Sequence, residues 1–323
     1  MIETTEAVWV APEFKFHTGE VMPQLRIAYI TVGDPSGIPV LILHGTTGSA
    51  QGLLSDEFAG ELFGPGQPLD ARKYFIVMPD AIGAGRSSKP SDGLRMQFPH
   101  YNYTDMVNAQ YRLLTEGLGV THVRMVLGNS MGGMHAWLWG AMYPDFMELL
   151  VPMAATPAAM SGRNWMTRRL IIDAIRNDPQ WMDGNYVTQP PSLQFASVFF
   201  AIATNGGDQH LQALAPTREA ADRLLAQRFQ APFVGDANDH LYLWEASRDY
   251  DPEPVLHHIK ARVLAITSAD DERNPPGLGI IASKIQSMPN AQWVLIPASP
   301  ETSGHGTTGQ AIWWKHEIER LLG

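Results

Sequence analysis

Short apolar runs that end in glycine, proline or small polar residues recur along the chain. Runs of this kind are typical of parallel strands buried on both faces, and segments with helical spacing separate several of them. This alternation predicts an α/β fold in which helices flank a doubly wound, mostly parallel sheet. The eight predicted strands are 13–17, 24–32, 38–43, 74–78, 123–127, 148–154, 262–267 and 292–296.

The middle of the chain breaks this alternation. Between about residues 156 and 251 no segment has the pattern of a buried strand, whereas helical patterns rich in Met, Trp and Phe follow one another. We therefore predict a core formed by 1–155 and 252–323, with a helical cap inserted at 156–251. The predicted helices are 103–117, 131–141, 164–176, 193–204, 217–230, 238–247 and 310–322.

Composition narrows the possible partners. The 323 residues carry a formal net charge of −10 and include no cysteine. A negative protein without a basic patch is a poor partner for nucleic acid or an anionic membrane surface. The lack of cysteine excludes disulfides, thiolate metal sites and a cysteine nucleophile. No apolar run approaches about 18 residues and the first residues lack the pattern of a signal peptide, so we expect no membrane span and a cytoplasmic location.

A candidate nucleophile lies near the centre of the chain, in the sequence G-N-S-M-G at 128–132. A predicted strand precedes this motif and a predicted helix follows it, which is the context of a G-x-S-x-G nucleophile elbow. The glycines allow close backbone approach while Ser130 takes a strained conformation. A glycine-rich turn with a capping serine is the alternative. We predict that Ser130 is the nucleophile and that the Met131 N–H faces a developing oxyanion.

A nucleophilic serine needs a base within hydrogen-bond reach and an acid that orients the base. In a sheet of this order both should follow the nucleophile, each just past the C-terminal end of a strand. His305 lies between two glycines after the last predicted strand, and Asp271 follows the strand before it. Asp270 is the nearest rival, and an ordinary solvated loop carboxylate is the alternative for either aspartate. The predicted triad is Ser130, Asp271 and His305.

The sequence H-G-T-T-G at 44–48 follows another predicted strand and supplies the other half of an oxyanion hole. Its glycines let the chain curl so that the Thr46 N–H faces the nucleophile, beside that of Met131. His44 and His135 are predicted to be packed or structural. Acids and histidines are not spaced as metal ligands, and no dinucleotide motif occurs, so we predict neither a metal nor a cofactor.

Taken together, these motifs resemble the α/β-hydrolase fold and, within it, the homoserine O-acetyltransferase group. The resemblance covers about residues 38–310 and implies the same triad of Ser130, Asp271 and His305, with Thr46 and Met131 as oxyanion donors. The segments that carry it are FPHYNYTDMVNAQYRLL at 98–114, GNSMGGMH at 128–135, IRNDPQWMDGNY at 175–186 and DANDHLY at 236–242.

The chain departs from this group in the cap. Acyltransferases of the group carry an arginine there that can hold an amino acid's carboxylate, whereas the corresponding stretch 192–209 contains no arginine. Loss of such a buried pairing weakens the binding of an amino-acid acceptor by about 2–5 kcal/mol. Water is therefore the expected acceptor. We predict a serine hydrolase that cleaves a carboxylic ester or related acyl compound through an acyl-enzyme on Ser130.

Two alternatives remain. An O-acyltransferase would move an acyl group from acyl-CoA to an alcohol, and Arg163, Arg168 or Arg169 could serve it if they faced the site. A non-catalytic ligand-binding protein on the same fold is the other. The expected partners are a small acyl substrate and, through the cap, a second copy of the chain. The candidates for the wall of an apolar acyl pocket are Trp165, Phe195, Phe199 and Phe200, and a place in the core of the cap itself is the alternative for these aromatic residues.

Overall fold

An eight-stranded sheet forms the centre of the computed structural model, which describes residues 3–323. The strands are β1 Thr4–Lys15, β2 Val21–Val32, β3 Ile38–Leu43, β4 Tyr74–Pro79, β5 Val123–Asn129, β6 Met147–Met153, β7 Arg262–Ser268 and β8 Ala291–Ile296. They lie in the order β1-β2-β4-β3-β5-β6-β7-β8. The pairs β1–β2 and β2–β4 are antiparallel, and the other neighbours are parallel. The predicted α/β fold with a mostly parallel sheet is confirmed.

The first two strands are longer than predicted. The hairpin pairs Thr4 with Val32 at one end and Lys15 with Val21 at the other. Much of β1 faces solvent, including Val8, which is 46% exposed. Such a strand leaves no continuous apolar pattern in the sequence, and its backbone pairing with β2 fixes it instead.

Helices cover both faces of the sheet. Along β5, Val126 packs into the cluster that contains Trp137, whereas its neighbours Met125 and Leu127 pack into the opposite cluster with Leu321. This alternation follows from the two-residue period of a strand, and it explains why the buried residues 125–127 are all apolar. The helices are α1 Ala59–Leu62, α2 Tyr103–Arg112, α3 Met131–Met142, α4 Gly162–Arg176, α5 Pro191–Thr204, α6 Asp208–Leu214, α7 Arg218–Gln230, α8 Ala237–Glu245, α9 Ile280–Gln286 and α10 Lys315–Leu322.

The terminal helix begins later than predicted. The sequence pattern favours a helix over 310–322, whereas α10 starts at Lys315. The residues before it form two 3-10 turns, Gly304–Gly309 and Ala311–Trp313, that carry His305 beside the sheet. The tertiary position of His305 thus overrides the local helical pattern.

Helices α4 to α8 occupy the segment between β6 and β7, where the sequence predicts a cap. α4 packs against both α5 and α8. The short helix α6 and a 3-10 turn at Pro179–Gly184 were not predicted, since neither is long enough to show a period. Asp239 on α8 accepts hydrogen bonds from the Ser91 N–H at 2.8 Å and the Ser91 hydroxyl at 2.6 Å. These bonds join the cap helices to a loop of the core.

No helix within residues 3–323 is both long and apolar enough to cross a membrane.

Candidate active site

Ser130 lies at the sharp turn between β5 and α3. Its φ of 57° and ψ of −112° are strained for a residue with a side chain, a cost of order 1–3 kcal/mol. A Cβ at Gly128 would lie 2.0 Å from the Gly132 oxygen, and one at Gly132 would lie 2.1 Å from the Leu43 oxygen. Both glycines are therefore required by backbone contacts, which is the geometry of a nucleophile elbow.

Ser130, His305 and Asp271 form one buried, hydrogen-bonded row. The Ser130 Oγ lies 2.8 Å from His305 Nε2. On the other side of the ring, His305 Nδ1 lies 2.9 Å from Asp271 Oδ1 and 3.0 Å from Oδ2. A carboxylate on this side holds the proton on Nδ1, so Nε2 is free to accept the serine hydroxyl hydrogen.

Backbone and side-chain donors fix the Asp271 carboxylate. Its Oδ1 accepts from the Arg273 N–H at 2.8 Å and the Asn274 N–H at 2.9 Å. The Asn274 side-chain amide donates to Asp271 Oδ2 at 3.3 Å and to the Ala154 oxygen at 2.9 Å. Asp271 is thereby oriented toward His305 by the turn that follows β7.

Asp270 forms hydrogen bonds with other residues. Its Oδ2 accepts from the Thr302 hydroxyl at 2.7 Å and from the Gly304 N–H at 3.3 Å. It braces the segment before His305 and does not contact the imidazole. Of the two adjacent carboxylates, Asp271 is therefore the one that the fold pairs with the histidine.

Glu272, which the sequence did not single out, ties the His305 turn to the cap. Its carboxylate accepts from the His305 N–H at 3.0 Å and from the Gly207 N–H at 2.7 Å. The turn is also linked to the elbow, because the Thr308 hydroxyl donates to Asn129 Oδ1 at 2.6 Å. These bonds fix the backbone that carries the histidine.

Burial and neighbouring charges determine the protonation states of His305 and Asp271. Burial lowers the pKa of His305 below 6.5, the Asp271 charge opposes this, and the Arg273 charge reinforces it. Burial acts to raise the pKa of Asp271, but the interaction with His305 and the hydrogen bonds from Asn274 together outweigh it, so the net shift is downward. At neutral pH the row therefore holds a neutral imidazole and an ionised carboxylate, which suits a general base.

The predicted oxyanion groups lie beside Ser130. β3 and β5 are parallel neighbours with Leu43 opposite Gly128, so the segment after β3 reaches the elbow. A Cβ at Gly45 would lie 3.7 Å from Ser130 Cβ. Neither the Thr46 N–H nor the Met131 N–H has a backbone acceptor among residues 3–323. Both remain available to a ligand.

Neither of the two histidines predicted to be structural forms a hydrogen bond with Ser130 in the described part of the chain. His44 Nε2 accepts from the Ala81 N–H at 3.0 Å, and its Nδ1 donates to the Gly45 oxygen at 2.7 Å. His135 packs edge-on against Tyr103, and burial lowers the pKa of His135 to about 3. Across residues 3–323 no cluster of three acidic or histidine residues could hold a metal ion.

Ser130 and His305 line a cleft of about 360 Å³ whose other wall comes from the cap. Of the four aromatic residues expected to form an apolar wall, Phe200 lines this cleft, whereas Trp165, Phe195 and Phe199 do not. Phe195 and Phe199 lie on the outer surface of the cap, 63% and 54% exposed. α5 packs in an orientation in which Phe195 and Phe199 face away from Ser130.

The three cap arginines that the sequence offered as acceptor-binding cations differ in their exposure to solvent. Arg168 is 1% exposed, and its Nε donates to Asn164 Oδ1 at 2.9 Å. Arg169 points outward and pairs with Asp173 at 2.7 Å, while Arg163 is exposed. A further arginine, Arg273, lines the cleft itself, which the sequence did not indicate because Arg273 sits in a polar loop.

Comparison with known proteins places this arrangement in a family. Residues 38–302 match the family model described as alpha/beta hydrolase fold. A homoserine O-acetyltransferase of Carboxydothermus hydrogenoformans is 31% identical over 309 residues, which cover 82% of this chain and 80% of that protein.

Solved structures share the fold over the whole chain. The crystal structure of a homoserine O-acetyltransferase from Bacillus anthracis superposes with a TM-score of 0.86 at 21% identity, covering 100% of this chain and 98% of that one. The crystal structure of esterase E22 gives a TM-score of 0.84 at 20% identity, covering 99% of this chain and 100% of that one. The chain therefore belongs to the α/β-hydrolase family of enzymes, in the homoserine O-acetyltransferase-like group.

Proposed function

We propose that this protein hydrolyses a carboxylic ester through an acyl-enzyme on Ser130. The observation that carries the proposal is the continuous hydrogen-bonded row from Ser130 through His305 to Asp271, which opens on a cleft. A binding protein without turnover has no need of this row, of the strained serine, or of two free N–H groups beside it.

Each residue has one role in the reaction. Ser130 Oγ attacks the acyl carbon while His305 Nε2 takes its proton, and Asp271 stabilises the imidazolium that forms. The N–H groups of Thr46 and Met131 hold the oxyanion of the tetrahedral intermediate. His305 then protonates the departing alcohol, activates a water molecule that attacks the acyl-enzyme, and returns the proton to Ser130.

Water as the acyl acceptor is supported by the lining of the cleft. The cleft-facing residues of α5, Ser197, Phe200 and Ala201, offer no cation at the segment where acyltransferases of the group carry one.

An acyltransferase is the second candidate, and one observation favours it. Arg168 of the cap faces inward, as a transferase would require of an acceptor-binding cation. Its guanidinium lies 5.1 Å from the centre of the Trp244 ring, and Trp244 lines the cleft.

The test measures acyl release from p-nitrophenyl acetate and longer esters, with and without homoserine or another alcohol. Hydrolysis that is abolished in Ser130→Ala and indifferent to the alcohol would support the hydrolase. Faster release with an acylated alcohol as product would favour the transferase. No release, and no labelling of Ser130 by a fluorophosphonate, would overturn both.

A further inference from the structure

Four residues that line the cleft beside Ser130 carry a buried polar atom that has no hydrogen-bond partner among residues 3–323. These atoms are the Thr46 hydroxyl, the Ser197 hydroxyl, Asn205 Oδ1 and Trp244 Nε1. A buried polar group without a partner is costly, and such groups are rare in folded proteins. Their concentration in one cleft indicates that a polar ligand completes them.

Most of these atoms are hydrogen-bond donors. The indole N–H of Trp244 can only donate, and the two hydroxyls can donate as well as accept. Asn205 Oδ1 is an acceptor, although rotation of its amide by 180° would present the NH2 group instead. The ligand that fits this set is rich in acceptor oxygens.

Arg273 adds a positive charge to the same cleft. Its Nε donates to the backbone oxygen and to the hydroxyl of Thr204, both at 3.1 Å, and its guanidinium lies 4.5 Å from the centre of the Phe200 ring. Its two terminal nitrogens have no hydrogen-bond partner among residues 3–323. Arg273 is thus held in place at one edge and free to donate at the other.

No acidic side chain of the described residues balances this charge from within the cleft, since neither an aspartate nor a glutamate lines it. The two nearby carboxylates are occupied, Asp271 by His305 and Glu272 by two backbone N–H groups. Behind the cleft wall, Arg168 adds a second positive charge against Trp244. The described lining of the cleft therefore carries the positive charge of Arg273 and no aspartate or glutamate.

We propose that the cleft binds a carboxylate group carried by the substrate ester, with Arg273 and Trp244 as its principal donors. This inference rests on the proposed hydrolysis at Ser130 and names the class of ester that the enzyme accepts. A planar guanidinium with two free terminal NH2 groups matches the two oxygens of a carboxylate. The neighbouring hydroxyls of Ser197 and Thr46 donate hydrogen bonds to the same carboxylate or to the ester group beside it.

The first experiment compares two pairs of esters of matched shape. Methyl butyrate is paired with monomethyl succinate, which places the charge in the acyl group. Butyl acetate is paired with 4-acetoxybutanoate, which places the charge in the alcohol. In at least one pair we expect kcat/KM to be about 10- to 100-fold higher for the charged ester, the factor that charge-assisted hydrogen bonds supply. The pair that responds identifies which half of the ester carries the carboxylate.

Variants then assign the preference to residues. Arg273→Met keeps the length of the stem and removes the guanidinium, so we expect the charged-to-neutral ratio of kcat/KM to fall about 10- to 100-fold. Trp244→Phe removes the N–H and keeps an aromatic ring, and it should lower the ratio about 3- to 10-fold. Trp244→Phe also tests the proposed site if Arg273→Met fails to fold. Arg169→Met is the matched control, since Arg169 is exposed and paired with Asp173.

A binding measurement separates this inference from turnover. In Ser130→Ala, calorimetric titration should give a Kd for monomethyl succinate, or for 4-acetoxybutanoate, at least about 10-fold below that of its neutral partner. Ser130-dependent hydrolysis of the neutral esters without any preference for a charged one would overturn the carboxylate site and leave the proposed function standing. A preference that survives in Arg273→Met and Trp244→Phe would also overturn the site. Tight binding of a charged ester without hydrolysis of any ester would support the site and overturn the proposed function.

Discussion

His305 Nε2 lies 2.8 Å from Ser130 Oγ, although 175 residues separate the two in the chain. Ser130 follows β5 and His305 follows β8, so parallel strands bring both to the same edge of the sheet. The Thr308–Asn129 and Glu272–His305 hydrogen bonds hold the histidine turn from opposite sides. These bonds hold His305 in place against Ser130, as the proposed role of general base requires.

Asp271→Asn should lower kcat for a neutral ester by about 10⁴-fold, because an amide can leave the His305 proton on the wrong nitrogen. Asp270→Asn is the matched control. Its carboxylate braces Thr302 and Gly304 without contacting the ring, so we expect a loss of about 10-fold or less. Steady-state kinetics on both variants checks this, and an equal loss in the two would contradict the assignment of Asp271.

The acid side of the pH profile should report His305. kcat/KM for a neutral ester falls as the imidazole becomes protonated, and burial lowers the pKa of His305, so the midpoint should lie below 6.5. The charged groups that act on the ring are Asp271, which raises the pKa of His305, and Arg273 and Arg168, which lower it.

Arg273→Met removes one of these positive charges. The pKa of His305 should rise, and the acid midpoint of kcat/KM should move to higher pH. The variant and the wild type are compared on methyl butyrate, which does not titrate. A midpoint that stays in place or moves to lower pH in Arg273→Met would contradict this electrostatic account.

Gly132→Ala should destabilise the fold by about 3 kcal/mol or more, since the new Cβ would meet the Leu43 oxygen at 2.1 Å. Gly277→Ala is the control, because no heavy atom lies within 4 Å of its added Cβ. Its effect on the free energy of unfolding should stay within about 0.5 kcal/mol. Urea unfolding measures both, and similar midpoints would show that the elbow tolerates a side chain.

The expectation of a dimer formed through the cap remains a prediction. Four large apolar side chains of α4 and α5 are well exposed on the outer surface: Met166 at 60%, Leu170 at 59%, Phe195 at 63% and Phe199 at 54%. Covering this patch by a second copy would remove it from water. Sedimentation should give a dimer that the double variant Leu170→Ser, Phe195→Ser converts to a monomer. A wild-type protein that is monomeric at every concentration would contradict the prediction.

The sequence by itself determined the parallel strands and the elbow. Strands buried on both faces must be apolar throughout, so 38–43 is visible as a run that coincides with Ile38–Leu43 of the structure. The elbow is visible because glycines are required wherever backbones touch, as at Gly128 and Gly132. Those signals are local, and a single sequence shows local signals well.

The choice between Asp270 and Asp271, the inward turn of Arg168 and the position of Arg273 in the cleft were decided by the tertiary structure. Adjacent carboxylates share one local pattern, and only their distant partners, Thr302 for one and His305 for the other, distinguish them. Likewise, whether an arginine in a polar segment faces solvent or a cleft depends on how the cap packs over the sheet. Burial and hydrogen bonding between residues far apart in the chain thus completed a site whose nucleophile the sequence had already indicated.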